Sequence, residues 1–377
     1  MHYDSIVIGA GSMGMAASYY LAKEGYNTLC IDAFTPPHDF GSHHGDTRLI
    51  RYAYGEGEQY VPFVLRAKKL WEELSLLTER QLFHQVGVLN FSPENDPHMQ
   101  TIYASSVNFD LPIERMNAAD IEARWPGITV PNDMIAYYEP TSGVLFTEAI
   151  LHTYYELATA HGMQLHANDK AVSIDVQSDT YVEVTTASGQ TFSANNVIIS
   201  VGAWSKELLA SIDVHVPITP IRKTFAWYEA DEALYGDSTF PGFAYINNEE
   251  GYYGFPSIDG AGLKVGRHDS GQEINPNNAR AAFGEVEGDK EDLQSFLQTF
   301  MPQVGELKFG KTCMYAMTPD EHFIIDIAPR HKNVAIAGGF SGHGFKFASA
   351  VGEALKDLVT TGETKVDLSP FAMSRFL

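Results

Sequence analysis

Two arginines lie three residues apart, at Arg48 and Arg51, in a chain where 25 lysines and arginines face 48 acidic residues. On a short helix this spacing would place both guanidinium groups on one face, where they could hold a carboxylate through charge-assisted hydrogen bonds. The alternative is a surface ion pair with Asp46 or Glu56, which is nearly neutral in energy. The glycine-containing loop at residues 41–51 leaves both interpretations open.

Two adjacent histidines, His43 and His44, raise the question of a metal site in the same loop. Adjacent side chains diverge, and no His-x-x-x-His pattern accompanies them, so we predict no metal site. The chain has two cysteines, Cys30 and Cys313, which excludes a disulfide framework and favours a reducing compartment. By residue type alone, Cys313 is a buried core thiol.

Lys264 and His268 lie four residues apart in a strand-like segment, so their side chains share one face while Arg267 points the other way. That face is either solvated or covered by the protein. If it is covered, a buried lysine is costly unless its charge is used.

His343 and Lys346 stand where the segment 341–346 enters a predicted helix. The helix dipole and the free amides of a first turn favour a negatively charged group, such as a flavin carbonyl that takes up charge on reduction. The alternative is an ordinary helix cap with a solvated lysine.

A glycine-rich turn follows the first predicted strand, residues 3–8, and opens a helix that runs to Glu24. Gly9, Gly11 and Gly14 have the G-x-G-x-x-G spacing, and Asp32 ends the next strand, where a carboxylate can bind ribose hydroxyls. We therefore predict a dinucleotide site rather than a tight packing turn. An acidic residue disfavours the 2′-phosphate of NADP, but the motif does not separate NAD from FAD.

Two further strand-turn-helix patterns lie far along the chain, at residues 196–205 and 333–358. Together with the first they predict one nucleotide-binding layer built from scattered pieces, and hence discontinuous domains. Strand-like runs at 225–229, 252–255 and 263–268 predict a mixed, largely antiparallel sheet that roofs a pocket.

Length and charge exclude several classes of protein. A chain of 377 residues with 44% hydrophobic residues can bury a large core, and a formal charge of −23 repels nucleic acid and anionic lipid. The uncharged stretch at residues 5–22 follows Asp4 and holds three glycines, so we predict neither a membrane span nor a signal sequence. We expect a cytoplasmic protein with no nucleic-acid or membrane partner.

Six blocks, in order along the chain, resemble one family of flavin enzymes. They are residues 9–14 (GAGSMG), 41–48 (GSHHGDTR), 53–57 (AYGEG), 252–256 (YYGFP), 313–315 (CMY) with 320–326 (DEHFIID), and 339–347 (GFSGHGFKF). The sequence is similar to the monomeric sarcosine oxidase and N-methyltryptophan oxidase family from Asp4 to about Phe376.

This resemblance implies an α/β fold with an FAD-binding Rossmann-like domain and a second domain whose mixed, largely antiparallel sheet lies over the flavin. The expected division is 1–80, 145–215 and 320–377 for the FAD-binding domain, and 81–144 and 216–319 for the substrate domain. It also implies FAD attached covalently through the sulfur of Cys313. The implied cofactor-binding residues are Gly9, Gly11, Gly14, Asp32, Ser42, Thr47, Cys313, Gly342, His343 and Gly344.

The same resemblance implies roles around the substrate. Arg51 and Lys346 would hold the substrate carboxylate with help from Tyr315. His268 and Tyr253 would line the pocket beside the amine and the methyl carbon.

Three further residues are expected beside the flavin. Lys264 would lie near flavin N5 and promote oxygen reduction. His44 and Arg48 would lie on the other side, where positive charge favours the anionic reduced ring.

The implied activity is oxidation of sarcosine and related N-methyl amino acids by O₂ and water, giving the parent amino acid, formaldehyde and hydrogen peroxide. The expected protein is a monomer. An N-methyltryptophan oxidase is the alternative, because residues 223–228 are more similar to those enzymes and Ala244 would leave more room than the methionine expected there. An NAD-linked dehydrogenase and a descendant of the fold without enzymatic activity are the remaining alternatives.

Overall fold

The structure is a computed structural model that describes residues 2–376. In chain order the strands are β1 (His2–Ile8), β2 (Thr28–Ile31), β3 (Thr47–Ile50), β4 (Phe83–His84), β5 (Val88–Pro93), β6 (Glu114–Asn117), β7 (Met134–Glu139), β8 (Gly143–Phe146), β9 (Gln164–His166), β10 (Ala171–Ser178), β11 (Tyr181–Thr186), β12 (Thr191–Ile199), β13 (Thr219–Tyr228), β14 (Gly242–Ile246), β15 (Gly251–Phe255), β16 (Leu263–Arg267), β17 (Gln272–Glu273), β18 (Leu307–Met317), β19 (Ile324–Ala328) and β20 (His331–Gly338). The helices are α1 (Ser12–Lys23), α2 (Val61–Ser75), α3 (Pro97–Asn108), α4 (Ala118–Arg124), α5 (Thr147–Ala160), α6 (Ser205–Leu209), α7 (Glu232–Tyr235), α8 (Glu291–Phe300) and α9 (Ala348–Thr360).

The first sheet joins the three scattered pieces that the sequence assigns to one layer. Its order is β10-β11-β12-β1-β2-β9, and β20 pairs with β12 and with β19. The strands β9, β2, β1, β12 and β20 run parallel. Most of β1 is buried, as expected for a parallel strand that is covered on both faces. The predicted strand-turn-helix-strand unit and its distant partners are therefore confirmed.

The uncharged stretch after Asp4 forms β1 and most of α1, and α1 packs between α5 and α9. A Cβ on Gly352 of α9 would lie 2.5 Å from the Cβ of Ala16, so α1 and α9 approach closely at this glycine. Within residues 2–376, no helix has the length and apolar character that crossing a membrane requires.

The second sheet has the order β17-β13-β16-β15-β14-β5-β7-β6, with β18 paired to β13. The pairing of β14 with β5 is parallel, whereas the other pairings in this sheet are antiparallel. The predicted fold class, a parallel nucleotide-binding layer with a mixed, largely antiparallel second sheet, is confirmed. The residue boundaries of the two discontinuous domains stay a prediction.

A third sheet, β3-β8-β4, corrects one expectation. Arg48 lies in β3, so the short helix that would place Arg48 and Arg51 on one face is wrong. The backbone from Thr47 to Ile50 pairs with β8 instead, and side chains three positions apart on extended chain point to opposite faces. Arg51 follows β3 directly, and both arginines reach the wall of one cavity from extended chain rather than from a helix face.

Candidate active site

The glycine turn between β1 and α1 is shaped by close backbone contacts. Gly9 has a φ of 98°, and a Cβ there would overlap the carbonyl oxygen of Ser200 at the end of β12. A Cβ on Gly14 would overlap the carbonyl oxygen of Gly9. Gly11 is the N-cap of α1 and provides no side-chain cap, so the amides of the first turn remain available to an anion.

A large cavity of about 780 Å³ opens beside this turn, a size suited to a cofactor. Its walls come from the ends of the parallel strands, the loop after Asp32 and the segment 276–280. Of the predicted residues, those that line it are Gly9, Gly11, Asp32, Ser42, Arg48, Tyr315, Gly342 and Gly344.

Asp32 lies where the sequence places it, just after β2 and on the cavity wall. Its Oδ2 accepts a hydrogen bond from the amide of Ala10 at 2.6 Å, and its Oδ1 accepts one from the amide of Phe34 at 2.8 Å. These bonds fix the carboxylate, while its remaining lone pairs can accept from hydroxyl groups.

The two adjacent histidines differ in position. His43 lines the large cavity, whereas His44 is buried outside the lining of both cavities. Burial lowers the pKa of each imidazole to about 3, so both rings are neutral at pH 7. Within residues 2–376, the Nε2 of His43 and the Nδ1 of His44 are buried without a hydrogen-bond partner; the His43 atom, in the cavity wall, fits contact with a polar group.

A second, small cavity of about 60 Å³ adjoins the large one. The two share Arg48, Tyr315, Gly342 and Phe345 as wall residues. Of the predicted residues, those that line the small cavity are Arg48, Arg51, Tyr253, His268, Tyr315, Gly342, His343 and Lys346.

Arg51 is 5% exposed and forms an ion pair with Glu56, with Nη2 and Oε1 2.7 Å apart. Its Nη1 also donates to Oδ1 of Asn90 at 3.0 Å. The ion pair with Glu56 that the sequence offered as the alternative is present, but its surface location is wrong, because the pair lies in the cavity wall. Although burial opposes ionisation, the Arg51 guanidinium lowers the pKa of Glu56. The Arg51 Nε and Glu56 Oε2 atoms have no hydrogen-bond partner in the described part of the chain.

Lys346 brings a second buried cation to the small cavity. Its Nζ donates to the carbonyl of His343 at 2.8 Å and to the hydroxyl of Tyr54 at 3.2 Å. Burial, with the charge of Arg51 in addition, lowers the pKa of Lys346 to about 7. Two cations with incompletely used donors in one small space can bind a carboxylate.

The opposite part of the wall is aromatic. Gly342 has a φ of 83°, and a Cβ there would overlap the ring of Tyr315. The ring centroids of Tyr315 and His268 lie 5.6 Å apart. Burial and the charge of Lys223 lower the pKa of His268 to about 4, so its neutral imidazole can accept a hydrogen bond at pH 7.

Five predicted residues lie outside the cavity linings: Gly14, His44, Thr47, Lys264 and Cys313. The Nζ of Lys264 donates to the carbonyls of Gly45 and Thr47, and burial lowers the pKa of this amine. Cys313 is 1% exposed in β18, and burial raises the pKa of its thiol while nearby cations oppose the rise.

Sequence reasoning missed three residues that lie behind the wall of the small cavity and contact its lining residues or their neighbours. Tyr54 touches both Lys346 and His343, Asn90 orients Arg51, and the unpartnered His98 packs against Gly55 beside Glu56. Only Tyr54 lies in a block that the sequence singled out. A polar residue inside the apolar strand β5 was the available signal for Asn90.

Residues 4–358 match the family described as FAD dependent oxidoreductase. The chain is 48% identical to the monomeric sarcosine oxidase of Bacillus sp. (strain NS-129), over 99% of this chain and 97% of that protein. It is 42% identical to the N-methyl-L-tryptophan oxidase of Yersinia pestis (strain Pestoides F), over 100% of both.

Solved structures share the fold at low identity. NikD, an amino acid oxidase of nikkomycin biosynthesis, superposes with a TM-score of 0.85 at 23% identity, over 98% of this chain and 97% of that chain. Glycine oxidase from Geobacillus kaustophilus superposes with a TM-score of 0.83 at 19% identity, over 100% and 99%.

Proposed function

Because this chain belongs to the family of FAD dependent oxidoreductases, we propose that it oxidises N-methyl amino acids, with sarcosine as its preferred substrate. One observation carries the proposal. Two buried cations, Arg51 and Lys346, line a cavity of about 60 Å³ that shares a wall with the cofactor-sized cavity.

The walls of the large cavity fit FAD. The uncapped first turn of α1 suits the pyrophosphate, the fixed carboxylate of Asp32 suits ribose hydroxyls, and the orphaned His43 Nε2 can meet a polar group of the cofactor. When bound, FAD supplies an acceptor for the two electrons of the C–H bond beside the amine and passes them to O₂. Covalent attachment through Cys313 is part of the proposal.

Arg51 and Lys346 would orient the substrate by its carboxylate. A carboxylate held by two cations in a dry site loses its freedom to rotate and presents the rest of the molecule in one direction. The nearby positive charge also favours loss of the ammonium proton. The nitrogen lone pair is then free to assist removal of the two electrons of the adjacent C–H bond.

His268 would contact the substrate amine. Its imidazole is neutral because burial and the charge of Lys223 lower its pKa, so it can accept a hydrogen bond from the substrate N–H. Lys264 is proposed to assist oxygen reduction although it lies outside the cavity linings. Its Nζ donates to the carbonyl of Gly45 and to the hydroxyl of Thr47.

The size of the small cavity favours a small substrate. A volume of about 60 Å³ holds a few water molecules, which suits the heavy atoms of sarcosine but not an indole ring. The runner-up, N-methyl-L-tryptophan, requires the wall at Ala244 and Ile246 to move outward.

Peroxide release tests the substrate ranking. We expect faster release with sarcosine than with N-methyl-L-tryptophan, and none with glycine, which has no methyl group to lose. The reverse ranking would select the runner-up, and no peroxide with any N-methyl amino acid would overturn the proposal.

Acid precipitation tests the cofactor linkage. We expect the yellow colour to stay with the protein pellet of the unmodified enzyme and of Cys30→Ser, and to move to the supernatant with Cys313→Ser. Colour in the supernatant for all three would contradict covalent attachment while leaving FAD in place. The monomeric state, named for the Bacillus relative, and a cytoplasmic location complete the proposal, and size-exclusion chromatography checks the former.

A further inference from the structure

The ammonium group of Lys223 is bound entirely by backbone carbonyl groups. Its Nζ donates to three consecutive carbonyls, those of His268 at 2.7 Å, Asp269 at 2.9 Å and Ser270. The side chain rises from β13 and is 4% exposed. An ammonium has three N–H donors, so three carbonyl acceptors on one turn satisfy all of the donors of this lysine.

The turn is bent so that its carbonyls converge. β16 ends at Arg267, and the chain then passes through two left-handed residues, Ser270 with a φ of 56° and Gly271 with a φ of 105°. The amide of His268 still pairs with the carbonyl of Gly251, so the start of the turn remains tied to β15. Without the ammonium, the three part-buried carbonyl groups would face one another and lose their shared donor, which is unfavourable.

The charge of Lys223 lies beside Tyr315, a wall residue of the small cavity. Asp269, the nearest acid, is already engaged by Arg267 and by the amide of Gly251. Among residues 2–376, no carboxylate forms an ion pair with Lys223. Its Nζ lies 5.1 Å from the ring centroid of Tyr315, a cation–π distance, and Tyr315 lines both cavities.

We propose that Lys223 is a positioning residue for the substrate site, because it holds the turn that carries His268 and keeps this imidazole against Tyr315, ready to accept from the substrate amine. The inference rests on the proposed function for the identity of the substrate. It explains why a lysine is buried in β13 outside the cavity lining, next to the site rather than in it.

The groups around the turn set the pH at which this support weakens. Burial lowers the pKa of Lys223 to about 8, with Asp269, Cys313 and Glu321 opposing that shift and Arg267 adding to it. The neutral amine has two N–H donors for three carbonyls, so the turn loosens as pH rises above about 8. Besides Lys223, the charged groups that act on His268 are Glu56, Arg51 and Lys346.

The test compares Lys223→Met with Arg222→Met in the flavin-loaded enzyme. Arg222 is the neighbouring residue of β13 and is also buried. It pairs with Asp289 and donates to the carbonyls of Ala281 and Ala282, of which Ala282 lines the large cavity, so its loss reports the effect of removing a buried cation from β13 without a contact to the small cavity. We expect Lys223→Met to raise KM for sarcosine by about tenfold with a smaller change in kcat, and Arg222→Met to leave KM unchanged. Equal KM values in the two variants would overturn the inference.

Lys223→Gln keeps an N–H donor but no charge, and provides a second variant if Lys223→Met does not fold. Its expected KM lies between those of the wild type and Lys223→Met, and a wild-type KM would contradict the inference. A second readout is the ¹⁵N spectrum of labelled histidine, with the His268 signal assigned from its loss in His268→Gln. Loss of the Lys223 charge should raise the His268 pKa in the Lys223 variants alone, and an unchanged pKa would overturn the role.

The two proposals fail separately. If the wild-type enzyme releases no peroxide from any N-methyl amino acid, the proposed function is wrong, yet the His268 titration still decides the role of Lys223. If peroxide is released while the His268 pKa and the KM for sarcosine are the same in the wild type and the Lys223 variants, only the positioning role is wrong.

Discussion

The large and the small cavity are built in opposite ways. The large one owes its shape to backbone: Gly9 and Gly14 allow close approach, and the uncapped turn of α1 offers amides. The small one owes its character to buried charge, carried by Arg51, Lys346 and Glu56. Backbone requirements are local and leave a glycine pattern in one stretch, whereas a set of charges is assembled from distant segments. We therefore expect substitutions at the large cavity to impair flavin binding and substitutions at the small cavity to impair substrate binding.

Gly14→Ala should have the largest effect. Its Cβ would overlap the carbonyl oxygen of Gly9, so the turn must shift and the amides lose their arrangement. We expect almost no bound flavin, measured by absorbance at the flavin band, and no activity. Gly25→Ala is the control: no atom lies within 4 Å of a Cβ there, and its left-handed conformation costs only about 1 kcal/mol. Normal flavin content in Gly14→Ala would show that the backbone fit is not needed.

Replacing both cations should leave flavin binding intact but weaken the binding and turnover of substrate. In the double variant Arg51→Gln, Lys346→Gln, loss of two charged hydrogen-bonding groups at about 2 kcal/mol each should lower kcat/KM about a thousandfold. Flavin content should stay normal, which distinguishes this variant from Gly14→Ala. Arg66→Gln, which breaks an ion pair with Glu353 outside both cavities, is the control. Turnover close to that of the wild type would contradict the carboxylate site.

Glu56→Gln tests whether the Glu56 carboxylate competes with the substrate carboxylate for Arg51. Glu56 occupies the guanidinium that a substrate carboxylate needs, so the two carboxylates compete for Arg51. We expect KM for sarcosine to fall about tenfold and the melting temperature of the substrate-free enzyme to fall, because Arg51 is then buried without its partner. A rise in KM would mean that Glu56 orients Arg51 rather than competing for it.

The smallest effect should appear as a pH dependence of binding. The pKa of Lys346 is lowered to about 7, so its ammonium is charged below that pH and loses its charge as the pH rises. Affinity for methoxyacetate, a carboxylate without an amine, should therefore weaken by up to about tenfold per pH unit above that point. Lys346→Met should bind weakly with a flat profile up to about pH 8, where Lys223 begins to lose its charge. His268 and His343 titrate near pH 4 and 3 and do not contribute there.

The dinucleotide unit could be predicted because its residues are neighbours in sequence. Gly9, Gly14 and Asp32 lie within one strand-turn-helix-strand unit, and its expected strands and helix agree with β1, α1 and β2 to within about two residues. The layer that joins it to β12 and β20 also followed from local patterns.

The small cavity could not be derived from spacing alone. Arg48 and Arg51 suggested a helix, but pairing of β3 with β8 outweighed the i, i+3 pattern. The Arg51–Glu56 pair is held by Asn90 of β5, and Glu56 is also affected by the charge of Lys346, almost 300 residues away in sequence. Spacing singled out Lys346 and His268, but only the family resemblance gave them roles toward the substrate, and those roles stay predictions. Lys223 had no signal, because its partners are backbone carbonyls.

The wall shared by the two cavities limits how this protein can be redesigned. A change at Arg48, Tyr315, Gly342 or Phe345 alters both compartments at once, so selection for a new substrate at these positions would be penalised by weaker flavin binding. Ala244 and Ile246 of β14 border only the smaller compartment. A mutant library aimed at bulkier amines should therefore start on that single strand.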